Sequence, residues 1–142
     1  MLRLIILNYK RPENVEKIVF SLCKIFSKIT VINNNPDYLL PYWGGDIDVI
    51  NNNRNYFCME RWIRCFEYEE SYKLIIDDDI LPSPTLIKNM LKSKLPITGI
   101  YGKRGVDTSN NYIELEDVWS TGEVDFIVGS VILVKQSILN DI

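Results

Sequence analysis

Apolar and polar positions along the chain change their spacing in a way that marks out elements. Leu2 to Leu7 is an apolar run cut off by Asn8, Lys10 and Arg11, the pattern of a strand covered on both faces, as in a parallel sheet. From Pro12 the spacing becomes helical: Val15, Ile18, Val19, Leu22 and Phe26 share one face, Pro12 and Glu13 suit a helix start, and Lys24 and Lys28 lie near its end. Ile29 to Ile32 predicts a second strand, running into the turn-forming cluster Asn33-Asn34-Asn35-Pro36. Ile47 and Val49 mark a third strand that stops in Asn51-Asn52-Asn53. Met59, Trp62, Ile63 and Phe66 then predict the buried face of a second helix, with Glu60, Arg61, Arg64 and Glu67 on its wet side and Glu60 one turn before Arg64. Lys73 to Ile76 predicts a fourth strand leading into Asp77-Asp78-Asp79, and Ser83 begins a third helix over Pro84 to Leu95. Ile97 to Tyr101 and Val124 to Val134 read as later strands, with a surface loop around 107–111 between them.

Strands alternating with helices imply a mostly parallel α/β sheet. In such sheets ligands bind beyond the carboxyl ends of the strands, where loops and helix amino termini converge. Four polar tips fall there: Asn8 to Arg11, Asn33 to Asn35, Asn51 to Asn55, and the Asp77-Asp78-Asp79 triplet. Three adjacent carboxylates repel one another, and a cation would offset that repulsion. Hard oxygen donors suit Mg²⁺ or Mn²⁺, which bind through one or two carboxylates together with substrate phosphates. The plain alternatives are solvated turns at the asparagine and aspartate tips and surface ion pairs at Arg61 and Arg64.

The chain has 142 residues, 46% hydrophobic and 25% charged, the range of one globular domain over 1–142. A net charge of -3 and a pI near 5.0 offer no field for nucleic acid or an anionic membrane. Leu4 to Leu7 is too short for a leader core or a membrane span, which points to a soluble, cytoplasmic protein. Cys23, Cys58 and Cys65 show no paired spacing and there is no histidine, so buried reduced thiols are expected rather than a zinc site. Trp43, Trp62 and Trp119 read as core or rim packing, with Trp43 also placed to flank a sugar from its Pro/Gly loop.

With these pieces in order, the chain resembles the GT-A-fold glycosyltransferases, family-2-like, whose nucleotide-diphospho-sugar transferase domain is Rossmann-like. "LIIDDDILP" is similar to their strand, DxD motif and following turn, "LRLIILNYKRPENVEKIVFSL" to their first strand and helix, and "KITVINNNP" to the second strand. "VINNNRNYFCMERW" is similar to the third strand and its arginine-bearing helix, and "VDFIVGSVILVKQSIL" to the late strand on the acceptor side. The resemblance implies a compact or C-terminally truncated version of that fold. It implies transfer of a sugar from a UDP- or GDP-linked donor, UDP favoured, to a glycan, lipid or protein acceptor, with Mn²⁺ or Mg²⁺ as cofactor. Asp77 and Asp79 match the two acids of DxD, as ribose or metal contact and metal ligand respectively, and Asp78 between them would support. Asn8 and Arg11 fall at the first tip and Asn33 at the second, where the family holds base and ribose; Arg61 falls near its helix arginine.

Two departures stand out. Phe57 occupies the place of an expected glycine, and the chain stops at Ile142, where inverting members continue to an acidic motif that supplies the base. Asp125 is then the first candidate for the base, ahead of Glu123 and Asp117, because it opens the late strand. Lys103 and Arg104, in what reads as a turn from Gly102 to Gly105, are placed to add charge near a leaving diphosphate. Two other functions fit an acidic strand tip: a Mg²⁺-dependent nucleotidyltransferase, against which "LNYKRPEN" lacks a glycine-rich phosphate cradle, and a catalytically incomplete module that binds a nucleotide sugar without turnover.

Overall fold

A computed structural model describes residues 1–100, 102–106, 112–113, 126–127 and 129–140. In chain order the elements are β1 (Leu2–Asn8), α1 (Pro12–Leu22), β2 (Lys28–Asn33), β3 (Ile47–Asn51), α2 (Met59–Glu67), β4 (Tyr72–Asp77), α3 (Pro84–Lys92), β5 (Ile97–Gly99), β6 (Gly102–Val106), β7 (Tyr112–Ile113), β8 (Phe126–Ile127), β9 (Val131–Lys135) and α4 (Gln136–Leu139). β1, β2, β3 and β4 are mutually parallel in the order β3-β2-β1-β4; β9 then pairs antiparallel with β4, and β5 antiparallel with β9, completing a six-stranded sheet. This is the mixed α/β, mostly parallel architecture that the alternation of strand and helix predicts. A second, three-stranded sheet joins β7, β6 and β8. Gly102 to Gly105 therefore lies in a strand, not a turn, because β6 takes partners on both edges.

Side-chain alternation divides the large sheet between two helix layers. Leu4 and Ile6 of β1, with Leu74 and Ile76 of β4, face Val15, Ile18, Val19 and Leu22 of α1 and Ile87 and Met90 of α3. Ile5 and Ile75, with Ile132 and Val134 of β9, face Cys65 and Trp62 of α2 and Ile138 and Leu139 of α4. Helix α1 ends at Leu22, short of Phe26, but Phe26 still enters the core after a tight turn closed by its own N–H on the Leu22 carbonyl. Helix α3 begins as predicted: the Ser83 side chain accepts from the Leu86 N–H, and Pro84 takes the first turn, where no N–H is needed.

Helix α2 corrects the periodicity reading. Of the predicted face Trp62 packs inward, but Met59, Ile63 and Phe66 are exposed, whereas Cys65 and Glu60 are buried and Arg61 is nearly so. The inward face is the Arg61–Cys65 stripe, one turn apart, because Arg61 is drawn to Asp77 at the end of β4 and Arg64 folds back onto Glu60 and Glu67. A polar anchor has set the rotation of the helix against its hydrophobic pattern. Trp43 packs against the core, as its core-or-rim reading expects, but away from any sugar at the Asp edge. It sits with Phe26, Ile29 and Ile47 at the amino edge of β2 and β3, the opposite edge from the Asp triplet.

Cysteine burial divides in the same manner. Cys65 is buried, and that burial pushes its thiol up to about 11, with nearby Lys73 opposing; Cys23 and Cys58 are exposed, so the expectation of buried thiols holds for Cys65 alone. An aromatic disulfide reagent at neutral pH should titrate two thiols in the native protein and the third only in denaturant. Rapid titration of all three would show that α2 does not cover β4 as described. No helix among the described residues is long and apolar enough to cross a membrane.

Candidate active site at the carboxyl edge of the sheet

The register brings four strand tips to one edge: Asn8 aligns with Asn33, Asn33 with Asn51, and Leu7 with Asp77. At the first three tips, asparagine amides form two ladders across the strands. In one, Asn8 donates to Asn33 at 3.0 Å and Asn33 donates to Asn51 at 2.9 Å. Asn8 also donates to the Tyr38 hydroxyl, Asn33 to the Tyr38 carbonyl, and Asn51 exchanges two bonds with the backbone of Leu40. In the other, Asn52 donates to Asn34, which donates to the Phe57 carbonyl.

Asn8 and Asn33 are therefore fully buried and occupied inside the fold. In the structure these side chains shape the tip and hold the 34–40 loop. The choice of Asn over Asp at position 33 has a physical reason, since two of its bonds are donated and an aspartate has nothing to donate. Asn33→Asp should set a carboxylate against the Tyr38 carbonyl and the Asn51 side-chain oxygen, costing about 2 kcal/mol, read as a lower midpoint in urea.

The Asp triplet is organised in an order the sequence does not announce. Asp77 ends β4, its N–H bonded to the Ser130 carbonyl that opens β9, and the turn closes with Ile80 N–H on the Asp77 carbonyl. Asp78, the middle residue, points inward with 5% of its surface exposed. Its carboxylate accepts from the Tyr9 N–H at 3.0 Å and from Arg11 at 2.8 Å, tying the β1–α1 loop to the β4 tip. Asp79 points outward and meets the same Arg11 nitrogen at 3.3 Å. Asp77 takes Arg61 from α2 at 2.6 Å. Burial raises the Asp77 carboxyl above its ordinary value; Arg61 opposes this, and Asp79 and Asp78 add to it.

Arg11, Arg61, Asp77, Asp78 and Asp79 are thus brought together at one edge by β1, α2 and β4. Two cations against three carboxylates leave a local excess of one negative charge at the rim. Arg61 also keeps a buried Nε with no hydrogen-bond partner. Among the described residues no three acids, cysteines or histidines converge as a metal cage. Of the three carboxylates, Asp79 is half-exposed, Asp77 is partly buried against Arg61 and Asp78 is buried, so oxygen donors for a hard cation would come from Asp79 and Asp77. Asp125, Glu123 and Asp117 lie outside the described residues, as do the side chains of Lys103 and Arg104.

Phe57, noted in the sequence as standing in the place of an expected glycine, keeps a backbone suited to glycine. Its φ of +56° is the one positive value among the described non-glycine residues, and a bulky side chain there costs about 1–3 kcal/mol. The signal was present in the departure already noted, a phenylalanine at a glycine-like position.

No protein-family pattern matches the chain, and no curated protein sequence does. Solved structures do. The bifunctional IspDF from Campylobacter jejuni superposes with a TM-score of 0.61 at 15% identity, over 99% of this chain and 42% of that one. A CMP:2-keto-3-deoxy-manno-octonic acid synthetase in complex with CTP gives 0.55 at 11% identity, over 99% of this chain and 76% of the other. The apo glycosyltransferase GlyE from Streptococcus pneumoniae TIGR4 gives 0.51 at 15%, over 98% and 36%. The chain spans about two fifths of the length of the first of these. At such identities the likeness establishes the fold, which is the Rossmann-like one expected.

Proposed function

We propose that the chain is a metal-dependent glycosyltransferase that takes a UDP- or GDP-linked sugar and transfers the sugar to a glycan, lipid or protein acceptor. The observation that carries this reading is the pairing of a partly buried Asp77 with a half-exposed Asp79 at the end of β4, flanked by Arg11 and Arg61, on a sheet of this fold. Asp77 and Asp79 would hold Mn²⁺ or Mg²⁺ together with diphosphate oxygens, and the ion, when bound, offsets charge growing on the leaving nucleoside diphosphate. The chain's own residues do the rest. Arg11 is half-exposed and free to turn from Asp79 to a phosphate, and Arg61, braced by Asp77, presents a second guanidinium from the other side. Asp78 fixes the Tyr9–Arg11 loop so that Arg11 starts from one place. Asp125 is retained by sequence position as the group that would accept the acceptor's proton.

Calorimetric titration of UDP and GDP, with and without Mn²⁺, tests the donor site. Metal-dependent binding is expected, followed by donor hydrolysis or transfer in an acceptor screen; absence of binding to either nucleotide removes the proposal. Binding without turnover would leave the incomplete-module reading in its place.

A second reading has its own support. The synthetase bound to CTP matches over a larger share of its chain than GlyE does. A Mg²⁺-dependent nucleotidyltransferase would release pyrophosphate from a nucleoside triphosphate and a sugar phosphate, and a glycosyltransferase would not.

A further inference from the structure

The peptide around Phe57 is clamped on both sides. Its N–H donates to the Asn55 side chain at 2.7 Å, and its carbonyl accepts from Asn34 at 2.8 Å, with Asn34 held in turn by Asn52. Yet the residue is 73% exposed, so packing inside the fold does not offset its left-handed backbone. Glycine would take that conformation without penalty. A ring kept at a position suited to glycine, on a fixed mount and facing solvent, is arranged for something outside the fold. Such pre-ordering also lowers the entropic cost of contact.

Its place in the sheet indicates what that is. Asn34 and Asn52 extend the ladders of β2 and β3, bonding to the Asn8 and Asn33 carbonyls. Phe57 therefore hangs over the β2–β3 tips, while the acidic triplet ends β4. With β1 between β2 and β4, the two places are separated by about 10–14 Å, two to three strand spacings. A ligand whose diphosphate sits at the triplet and which runs along the edge reaches Phe57 with its other end. Beside Phe57, the Tyr56 ring carries the Arg54 guanidinium 4.6 Å from its centroid, so this end of the edge is lined by flat groups.

We propose that Phe57 stacks on the base of a nucleotide bound at the carboxyl edge. The proposal rests on the nucleotide-binding reading above and adds a base subsite to it. Stacking accepts any base face, so the ring supplies affinity more than discrimination between bases.

The test is calorimetry of the full chain with Mn²⁺ and three probes, UDP, GDP and inorganic pyrophosphate, on the wild type, Phe57→Gly and Phe57→Trp, with thermal melts of each. Phe57→Gly should melt no lower than the wild type yet bind UDP and GDP about tenfold more weakly. Its pyrophosphate affinity should not change, and Phe57→Trp should keep nucleotide affinity. Equal nucleotide affinity in Phe57→Gly overturns the stacking while the donor site stands. Equal loss for pyrophosphate also overturns it, by showing that the residue shapes the loop. Unchanged UDP affinity with slower transfer would assign the ring to the acceptor instead. If the wild type binds no nucleotide, the site reading falls and the base subsite with it.

Discussion

Asp79→Ala should abolish metal-dependent nucleotide binding and leave the fold intact, whereas Asp78→Ala should unfold the edge itself. Asp79 is half-exposed and its ion partner among the described residues, Arg11, is more exposed still; such exposed pairs contribute little to stability. As the most exposed of the three carboxylates, its loss should weaken nucleotide binding in Mn²⁺ by at least the roughly 10- to 100-fold typical of losing an outer-shell partner. Asp78 is the reverse. Removing it leaves the Tyr9 N–H without its buried acceptor and releases the exposed Arg11, and the lost backbone bond alone should cost about 2 kcal/mol and lower the melting point by about 6 °C. Scanning fluorimetry and calorimetry on the two variants measure both quantities. If Asp78→Ala melts with the wild type and Asp79→Ala does not, the inward and outward roles have been assigned the wrong way round.

The largest expected effect on stability lies at the other end of the sheet. Arg3, near the start of β1, is buried under α2. It donates to Thr30 at 2.7 Å and Glu70 at 2.8 Å, reaches the more exposed Asp48 at 3.1 Å, and lies 3.7 Å from the centre of the Tyr68 ring. Arg3→Leu leaves the Glu70 carboxylate buried without a partner, which should cost about 3–5 kcal/mol, a large part of a typical domain's stability. Adding Glu70→Leu should return much of that, since two apolar groups replace a pair whose desolvation was costly. A double-mutant cycle in urea measures the coupling.

The pH dependence has a definite sign. The Arg3 hydrogen bond holds the Glu70 carboxyl below its ordinary 4.5, with burial opposing. The pair's contribution is therefore complete above that value and is lost as pH falls through the folded-state pKa. In Arg3→Leu the same carboxyl is raised by burial and protonates more readily. The stability gap between wild type and variant should narrow on acidification; a gap that widens would place the cost elsewhere.

Much of the fold is legible in the sequence because β1, β2 and β4 are near-continuous apolar runs ending in asparagine or aspartate, a pattern few other arrangements satisfy. Ser83 and Pro84 announce α3 as directly. The parts that escaped are those where one polar contact overrides the local pattern. The apolar spacing of α2 points Met59, Ile63 and Phe66 inward, but Arg61–Asp77 joins residues 16 positions apart, and nothing in either segment states that pairing. Arg3 and Lys73 sit inside strands read as apolar, and both are buried side by side at the β1–β4 register. In the candidate site, the convergence of Asp77, Asp79, Arg11 and Arg61 followed from strand tips meeting at one edge. Which asparagine faces a neighbouring strand depends on register, which is settled only when strands pair.

The antiparallel strand β9 has a consequence for how the chain is made. Val131 pairs with Ile76 and Ser130 caps Asp77, so the outer edge of β4 stays open until β9 has been made and has docked. Contacts so distant in sequence close late, because the loop between them must be ordered first. Until then, β4 presents an unpaired apolar edge of the sort that recruits other chains, and the acidic tip at its end has no rigid backing. Completion of the sheet and rigid backing of the acidic tip are thus a single event, the docking of β9.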